Sequence, residues 1–302
     1  MGLSLLKNKH IYQAIKEEHA EYGYPIDALC KLGKVSRAAY YKWLNRNIPF
    51  NESENERIAK VIEEIHNESP DKGYRRIRDD LDRYHDITVN DKRVLRICRK
   101  KGIKSTIKYR NEGCTRQADK PQFLAENILN REFYAEAPNE KWLTDVTEFK
   151  YYVGPEKRKI YLSAILDLYD RRIVAYVIRD NNNNSLVFDT FDQAIAENPG
   201  AHPLCHSDWG FQYTSRSFHK KLEDAGMTQS MSRVAKCIDN GPMEGFWGIL
   251  KRERYYGKRF TDRESLVSMI ETYIEYYNDK RLQRNLGVLT PMEKYKSYKE
   301  AA

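Results

Sequence analysis

No stretch of the 302-residue sequence approaches the run of about 18 to 20 apolar residues that a membrane helix requires, so no spanning segment and a cytoplasmic, soluble protein are expected. Cysteine is sparse. Cys30, Cys98, Cys114, Cys205 and Cys237 are odd in number and isolated from one another, with no CxxC and no nearby His pair at metal-ligand spacing, so reduced, packed thiols are expected. Internal repeats and long low-complexity tracts are also missing, and the asparagine run 181–184 reads as a loop. What is plentiful is charge. The 52 Lys and Arg outnumber the 44 Asp and Glu for a net +8, which suits a polyanionic partner without identifying one. The length allows about two domains with a sizeable core.

Three acids stand out from the others by their settings. Asp145 lies in the strand-like KWLTDVTEFK, Asp208 in HSDWGFQYTS between a short apolar run and a Gly turn, and Glu244 in DNGPMEGFWGILKRE at the start of an amphipathic helix. Loops at strand ends in open α/β sheets are where ligands are carried. Asn240 is placed to cap the helix, and Pro242 falls in its first turn. Convergent hard carboxylates from separate elements are the donor set of a two-metal phosphoryl-transfer site. A single acid taken alone is more simply a solvated surface group.

The rest of the chain divides into regions. Residues 1–48 read as helix, turn and helix, with Gly33 at the turn, Ser36 as N-cap, and Arg37 to Leu44 forming a second helix. Tyr40, Trp43 and Leu44 are expected to face inward, with Arg37, Tyr41 and Lys42 outward, a pattern that fits a recognition helix or a packing hairpin equally. Residues 53–110 form a second helical module. Ser53 and Glu56 have capping-box spacing before Ile58, Val61, Ile62 and Ile65, and two further helices are expected over 74–84 and 90–101. From Lys92 to Arg110 there are nine Lys or Arg and no acid, which suits phosphate contact. Residues 111–139 read as a linker. Residues 140–258 have the order strand 142–153, turn at Gly154 and Pro155, strand 159–167, strand 172–179, helix 185–197, strand 204–207 and helices 215–225 and 240–254, a mixed α/β sheet. In residues 259–302, Leu266, Met269, Ile270, Tyr273 and Tyr277 share a stripe for packing on that core.

Taken together, TDVTEF, HSDWGFQYTS, SMSR followed by CIDN, PMEGFWGILKRE and YIEYYNDKR with LTPMEKY resemble the insertion-sequence transposases that share the retroviral integrase core. GYRRIRDDL with VNDKRVLRICRKKGI resembles the helix-turn-helix module preceding that core, and the chain resembles the downstream reading-frame product of the two-frame members. The resemblance implies an RNase H-like α/β integrase core preceded by all-α helix-turn-helix modules, with a C-terminal helical extension. It implies Asp145, Asp208 and Glu244 as catalytic and metal-binding residues holding two Mg²⁺ ions, with Mn²⁺ able to substitute. No structural zinc is expected, because the paired His and Cys of the retroviral zinc module have no counterpart here. Expected DNA contacts are Arg37, Lys42, Arg75, Arg76, Lys92, Arg93, Arg96, Arg99, Lys100, Arg233 and Lys251, the last seven residues after Glu244 on nearly the same helix face.

The implied partners are the element's terminal inverted repeats and target DNA, a second copy of the chain on DNA, and an upstream-frame or fusion partner. The sequence departs from the group at Trp209, usually Arg, at Ala235 and Lys236, usually Gly-Asn, and at Asp170, usually Ser. Asp167 is the rival acid, with a turn role as its simpler reading, and His206 either tunes Asp208 or is an ordinary hydrogen-bonded His. Trp142 and Trp247 read as core or rim aromatics. The expected chemistry is 3'-end cleavage followed by in-line strand transfer. A same-fold nuclease without joining activity and a noncatalytic DNA-binding regulator remain as alternatives.

Overall fold

The computed structural model describes residues 8–47, 49–107, 122–233 and 237–301. Ala235, Lys236, Cys114 and the basic residues 108 and 110 therefore lie outside the described residues. An N-terminal hairpin comprises α1 (Lys9–Tyr22), α2 (Ile26–Leu32) and α3 (Arg37–Leu44), which bury Tyr12, Ile15, Cys30 and Tyr40 among themselves. The first expected helix is two, because Gly23 adopts φ +68 and caps α1 on the His19 carbonyl. Ser36 caps α3 by accepting from the Ala39 N–H at 3.2 Å. Ser36→Ala is expected to destabilise this hairpin by about 1 kcal/mol, read as faster amide exchange in α3 with the sheet unaffected. Leu44, expected inside, is 40% exposed at the last turn.

The second module comprises α4 (Phe50–Glu68), α5 (Tyr74–His85) and α6 (Asp91–Lys101) around Ile58, Ile62, Ile77, Leu81, Val94 and Ile97. α4 starts at Phe50 after Pro49, and the Ser53 hydroxyl donates to the Phe50 carbonyl, so the expected capping box does not form. Asn90 does cap α6, accepting from Arg93 N–H at 2.8 Å. Residues 122–139 have no helix or strand, yet they are tied to the core. Phe123 N–H donates to the Thr214 carbonyl, Ile128 and Leu129 N–H donate to Ser230 Oγ, and Leu129 and Ala135 are buried.

The sheet contains β1 (Lys141–Val153), β2 (Glu156–Asp167), β3 (Ile173–Arg179), β4 (Leu204–Ser207) and β5 (Thr228–Met231) in the order β3-β2-β1-β4-β5. β1 to β3 form an antiparallel meander, and β4 and β5 add in parallel after the crossovers α7 (Asn184–Glu197) and α8 (Arg216–Asp224). Period-two alternation sends Leu143 to one face and Trp142 to the other. The Leu143 face packs against α9 (Gly241–Leu250) and α10 (Arg263–Asp279), and the Trp142 face packs against α7 and α8. A π-helical turn, Lys251–Tyr255, extends α9, and α11 (Pro291–Ala301) closes the chain. This mixed sheet, with helices on both faces, helical modules before it and helices after it, is the architecture the resemblance implies.

The helical module is docked against this core by ions. Arg76 of α5 donates to Asp71 at 3.1 Å, Glu253 at 2.9 Å and the Tyr276 hydroxyl at 2.7 Å. Arg281 also binds Glu253, and Arg284 grips both Asp79 and Asp91. Arg254 pairs with Asp71 at 2.9 Å. No described helix is long and apolar enough to cross a membrane.

Candidate active site

The parallel register of β1 with β4 sets the first two acids. Leu143 pairs with His206, so two residues further on Asp145, in the middle of β1, lies beside Asp208, which follows the end of β4. Adjacent strands lie about 4.8 Å apart. Both acids line a cavity of about 110 Å³ with Thr147, Glu148, Tyr161, Asn182, Gln212 and Tyr213. Asp145 is fixed through both oxygens: Oδ1 accepts from Val146 N–H at 2.7 Å and Oδ2 from the Trp247 indole at 2.9 Å. Asp208 Oδ1 accepts from Gly210 N–H at 2.8 Å. Gly210 belongs there because an added Cβ would stand 3.0 Å from that same Oδ1.

α9 brings the third acid to the sheet by burying Met243, Phe246, Trp247 and Leu250. Its N-terminus differs in one detail from expectation. Asn240 does not cap the helix; a 3₁₀ turn precedes it, and the Asn240 amide donates to the Thr144 carbonyl at 3.3 Å.

Electrostatics links the three acids. Burial first, and then the charge of Asp208, push the Asp145 carboxyl well above the usual carboxylate range, with Glu244 adding to the rise. Burial raises Asp208 as well, opposed by the Gly210 N–H. Glu244 is raised by burial and then by Asp208. These are like charges in a water-poor site, a state that a cation relieves. The hard oxygen donors fit a divalent cation such as Mg²⁺ or Mn²⁺. Convergence is incomplete, however: Glu244 does not line the cavity, and among the described residues no three His, Cys, Asp or Glu side chains enclose a metal position.

Other expected residues fall in several places. Lys251 Nζ donates to Thr147 Oγ1 at 2.6 Å and lies over the Phe149 ring, beside the Asp145 strand. Arg37, Lys42, Arg75, Lys92, Arg96, Arg99 and Lys100 are exposed. Arg93 donates to Asn55, and Lys100 pairs with Glu56 at 3.2 Å. Arg76, expected on DNA, is instead committed to the docking network. Arg233, also expected on DNA, is drawn onto a buried carboxylate, giving two guanidinium bonds of 2.9 Å to Asp239. Asp167 has the turn role, but buried, accepting from the backbone N–H groups of Asn139 and Tyr169. Asp170, at the departure from Ser, is buried against Arg172. Trp209 places its indole on the Ser232 carbonyl. His206 is buried between Ser230 and Ser232 hydroxyls, and burial pulls its imidazole down to about 4.

Two contributors have roles that sequence reasoning does not reach. Trp247, expected as a core or rim aromatic, also donates to Asp145, and its position three residues after Glu244 puts it on the same helix face. Asp239 gathers Arg233, Arg131 and the Asn127 amide. Arg233 above all, with Arg131 adding, holds the Asp239 carboxyl far below its ordinary range against the effect of burial. A depressed folded value contributes stability above the unfolded pKa that is lost as pH falls through the folded one. The melting difference between parent and Asp239→Asn is therefore expected to be constant from about pH 5 to 7 and to shrink below about pH 4, the unfolded range for Asp.

The chain is similar to several known proteins. The integrase core domain family matches residues 135–237 and again 244–299, and the HTH-like domain family matches residues 53–111. InsK of insertion sequence element IS150 from Escherichia coli (strain K12) is 36% identical over 275 residues, covering 89% of this chain and 93% of that one. A transposase-like protein of Haemophilus influenzae is 42% identical over 209 residues, 68% of this chain and 93% of its own. The transposase InsF for IS3A, also from Escherichia coli (strain K12), is 28% identical over 292 residues, 93% and 96% of the two chains. The HTLV-2 integrase catalytic core, solved with magnesium, is 20% identical with a TM-score of 0.41 over 53% of this chain and 98% of that one. With its integrase core and HTH-like domain, and relatives alike over nearly their full length, the chain belongs to the insertion-sequence transposases and is a DNA transposase.

Proposed function

We propose that this transposase cleaves the 3' ends of its insertion sequence and transfers them to target DNA, with Asp145, Asp208 and Glu244 as the metal-holding catalytic acids. The observation that carries the reading is the parallel register that sets Asp145 beside Asp208, with the charge of Glu244 reaching both. A pair of Mg²⁺ ions, with Mn²⁺ able to substitute, supplies activation of water or a 3'-hydroxyl and neutralisation of the leaving oxygen when bound.

The chain's own residues do the positioning. Val146 N–H and the Trp247 indole hold Asp145 in one rotamer, and Gly210 N–H does the same for Asp208. Lys251 puts a cation beside Thr147, on the strand that a scissile phosphate would approach. Exposed Lys92, Arg96, Arg99 and Lys100 on α6, with Arg37 and Lys42 on α3, give the helical modules a phosphate-binding surface for the terminal repeats. No covalent protein intermediate is needed.

The test uses labelled duplexes of the element's ends with Mg²⁺ and target DNA, with and without an upstream-frame partner. Joined products are expected. Nicked products alone would make the protein a nuclease, and binding with neither product in both arms would make it a regulator.

A further inference from the structure

A second cleft, of about 370 Å³, opens on the side of α9 marked by Gly245 and Ile249, where α5, the β2–β3 turn and residues 281–285 meet. Its walls carry Arg75, Arg76, Arg171, Arg281 and Arg284 against the single acid Asp79. Widening the count to the paired neighbours gives seven guanidiniums, these five with Arg78 and Arg254, against five carboxylates, Asp71, Asp79, Asp82, Asp91 and Glu253. The difference of two cations can be assigned. Arg76 and Arg281 share Glu253, Arg254 takes Asp71, Arg284 takes Asp79 and Asp91, and Arg78 lies between Asp79 and Asp82.

Arg75 and Arg171 form no ion pair with a carboxylate among the described residues, although the charge of Arg75 reaches Asp91, which Arg284 occupies. Arg75 is exposed beside the Tyr74 ring, and Arg171 donates to the Phe133 carbonyl at 2.7 Å. Asp167 and Asp170 send charge toward Arg171 but are occupied by backbone N–H groups and Arg172. Burial pulls the Arg171 guanidinium below its ordinary range against the opposing effects of Tyr277, Asp167 and Asp170. The floor at Gly245 is bare backbone, with nothing within 4 Å of where a Cβ would stand.

From this we infer that the cleft binds a phosphate group through Arg75 and Arg171, and that its source is the phosphodiester backbone of DNA passing from the helical module to the rear of the catalytic helix. Guanidinium forks match phosphate oxygens in shape and charge. The choice of DNA as source rests on the transposase reading. Free phosphate shares the chemistry, so the experiment separates the two.

Full-length parent, Arg75→Gln, Arg171→Gln and Arg171→Lys are titrated with a labelled duplex of the element's end, without divalent cation, across a salt series. Each Gln variant is expected to lower the log–log salt slope by about one, and Arg171→Lys to retain it. In parallel, inorganic phosphate is compared with chloride at equal ionic strength for its effect on melting temperature. A phosphate-induced rise that both Gln variants lose, with unchanged DNA slopes, would identify free phosphate as the source. Parental slopes together with parental phosphate response in both Gln variants overturn the inference. If the parent itself fails to bind the duplex, the transposase reading is what has failed, and the phosphate arm still decides the cleft. Arg75→Gln alters an exposed side chain and decides alone if Arg171→Gln fails to fold.

Discussion

Asp145→Asn and Glu244→Gln are each expected to abolish cleavage and joining, by on the order of 10⁴-fold or more, while leaving binding to the element's ends at the parental level. The two substitutions keep side-chain shape and remove one negative charge from a site where the acids already raise one another. Melting in chelator should therefore hold or rise, because like-charge repulsion is relieved. Added Mg²⁺ should raise the melting temperature of the parent and not of the variants, since only a ligand that prefers the folded state stabilises it. Strand transfer retained by either variant would remove that acid from the site. Loss of end binding along with activity would point to a folding defect instead.

Glu253→Gln is expected to be the most damaging single change to stability, costing about 3 to 5 kcal/mol. Its carboxylate is 4% exposed and receives Arg76, Arg281 and the Tyr273 hydroxyl, at 2.9 Å in each case. A neutral amide leaves two guanidiniums without their shared counter-charge, and one of them, Arg76, belongs to α5 in the helical module. The melting temperature should fall, and limited proteolysis should cut between module and core before either unfolds. Adding Arg281→Met should recover part of the loss, since a buried charge without its partner costs more than an apolar side chain of similar volume. Additive losses would show that the two residues are independent.

Features with local causes were legible in the sequence. Ser36 caps where it was expected because a cap needs only the next three residues. β1 to β3 with Asp145 inside β1, the strand end before Asp208 and the Glu244 helix follow from period-two and helical patterning that is complete within a few residues. β5 was not anticipated: its four residues, TQSM, include one apolar side chain, and the strand exists because β4 offers a parallel edge. The capping box at Ser53 lost to Pro49, which caps the helix four residues earlier. Arg76 and Arg233 illustrate a different limit. A basic run looks alike whether it faces DNA or an acid folded against it, and the Glu253 that claims Arg76 is 177 residues away. The incomplete approach of Glu244 to the other two acids was likewise not readable, because spacing along the chain does not fix how closely a helix approaches a sheet.

The wide turn at Lys251–Tyr255 continues α9 without a break. One rod therefore carries Glu244 near its start and the Glu253 anchor near its end, nine residues or about 13 Å along the axis. That length acts as a covalent ruler between the reacting end of the molecule and the seat of the helical module. Deleting one residue within the wide turn would return it to ordinary α geometry with the two ends nearly in phase, whereas deleting one elsewhere in the rod would rotate one end against the other by about 100°, so the two ends cannot be re-spaced freely in evolution or by design.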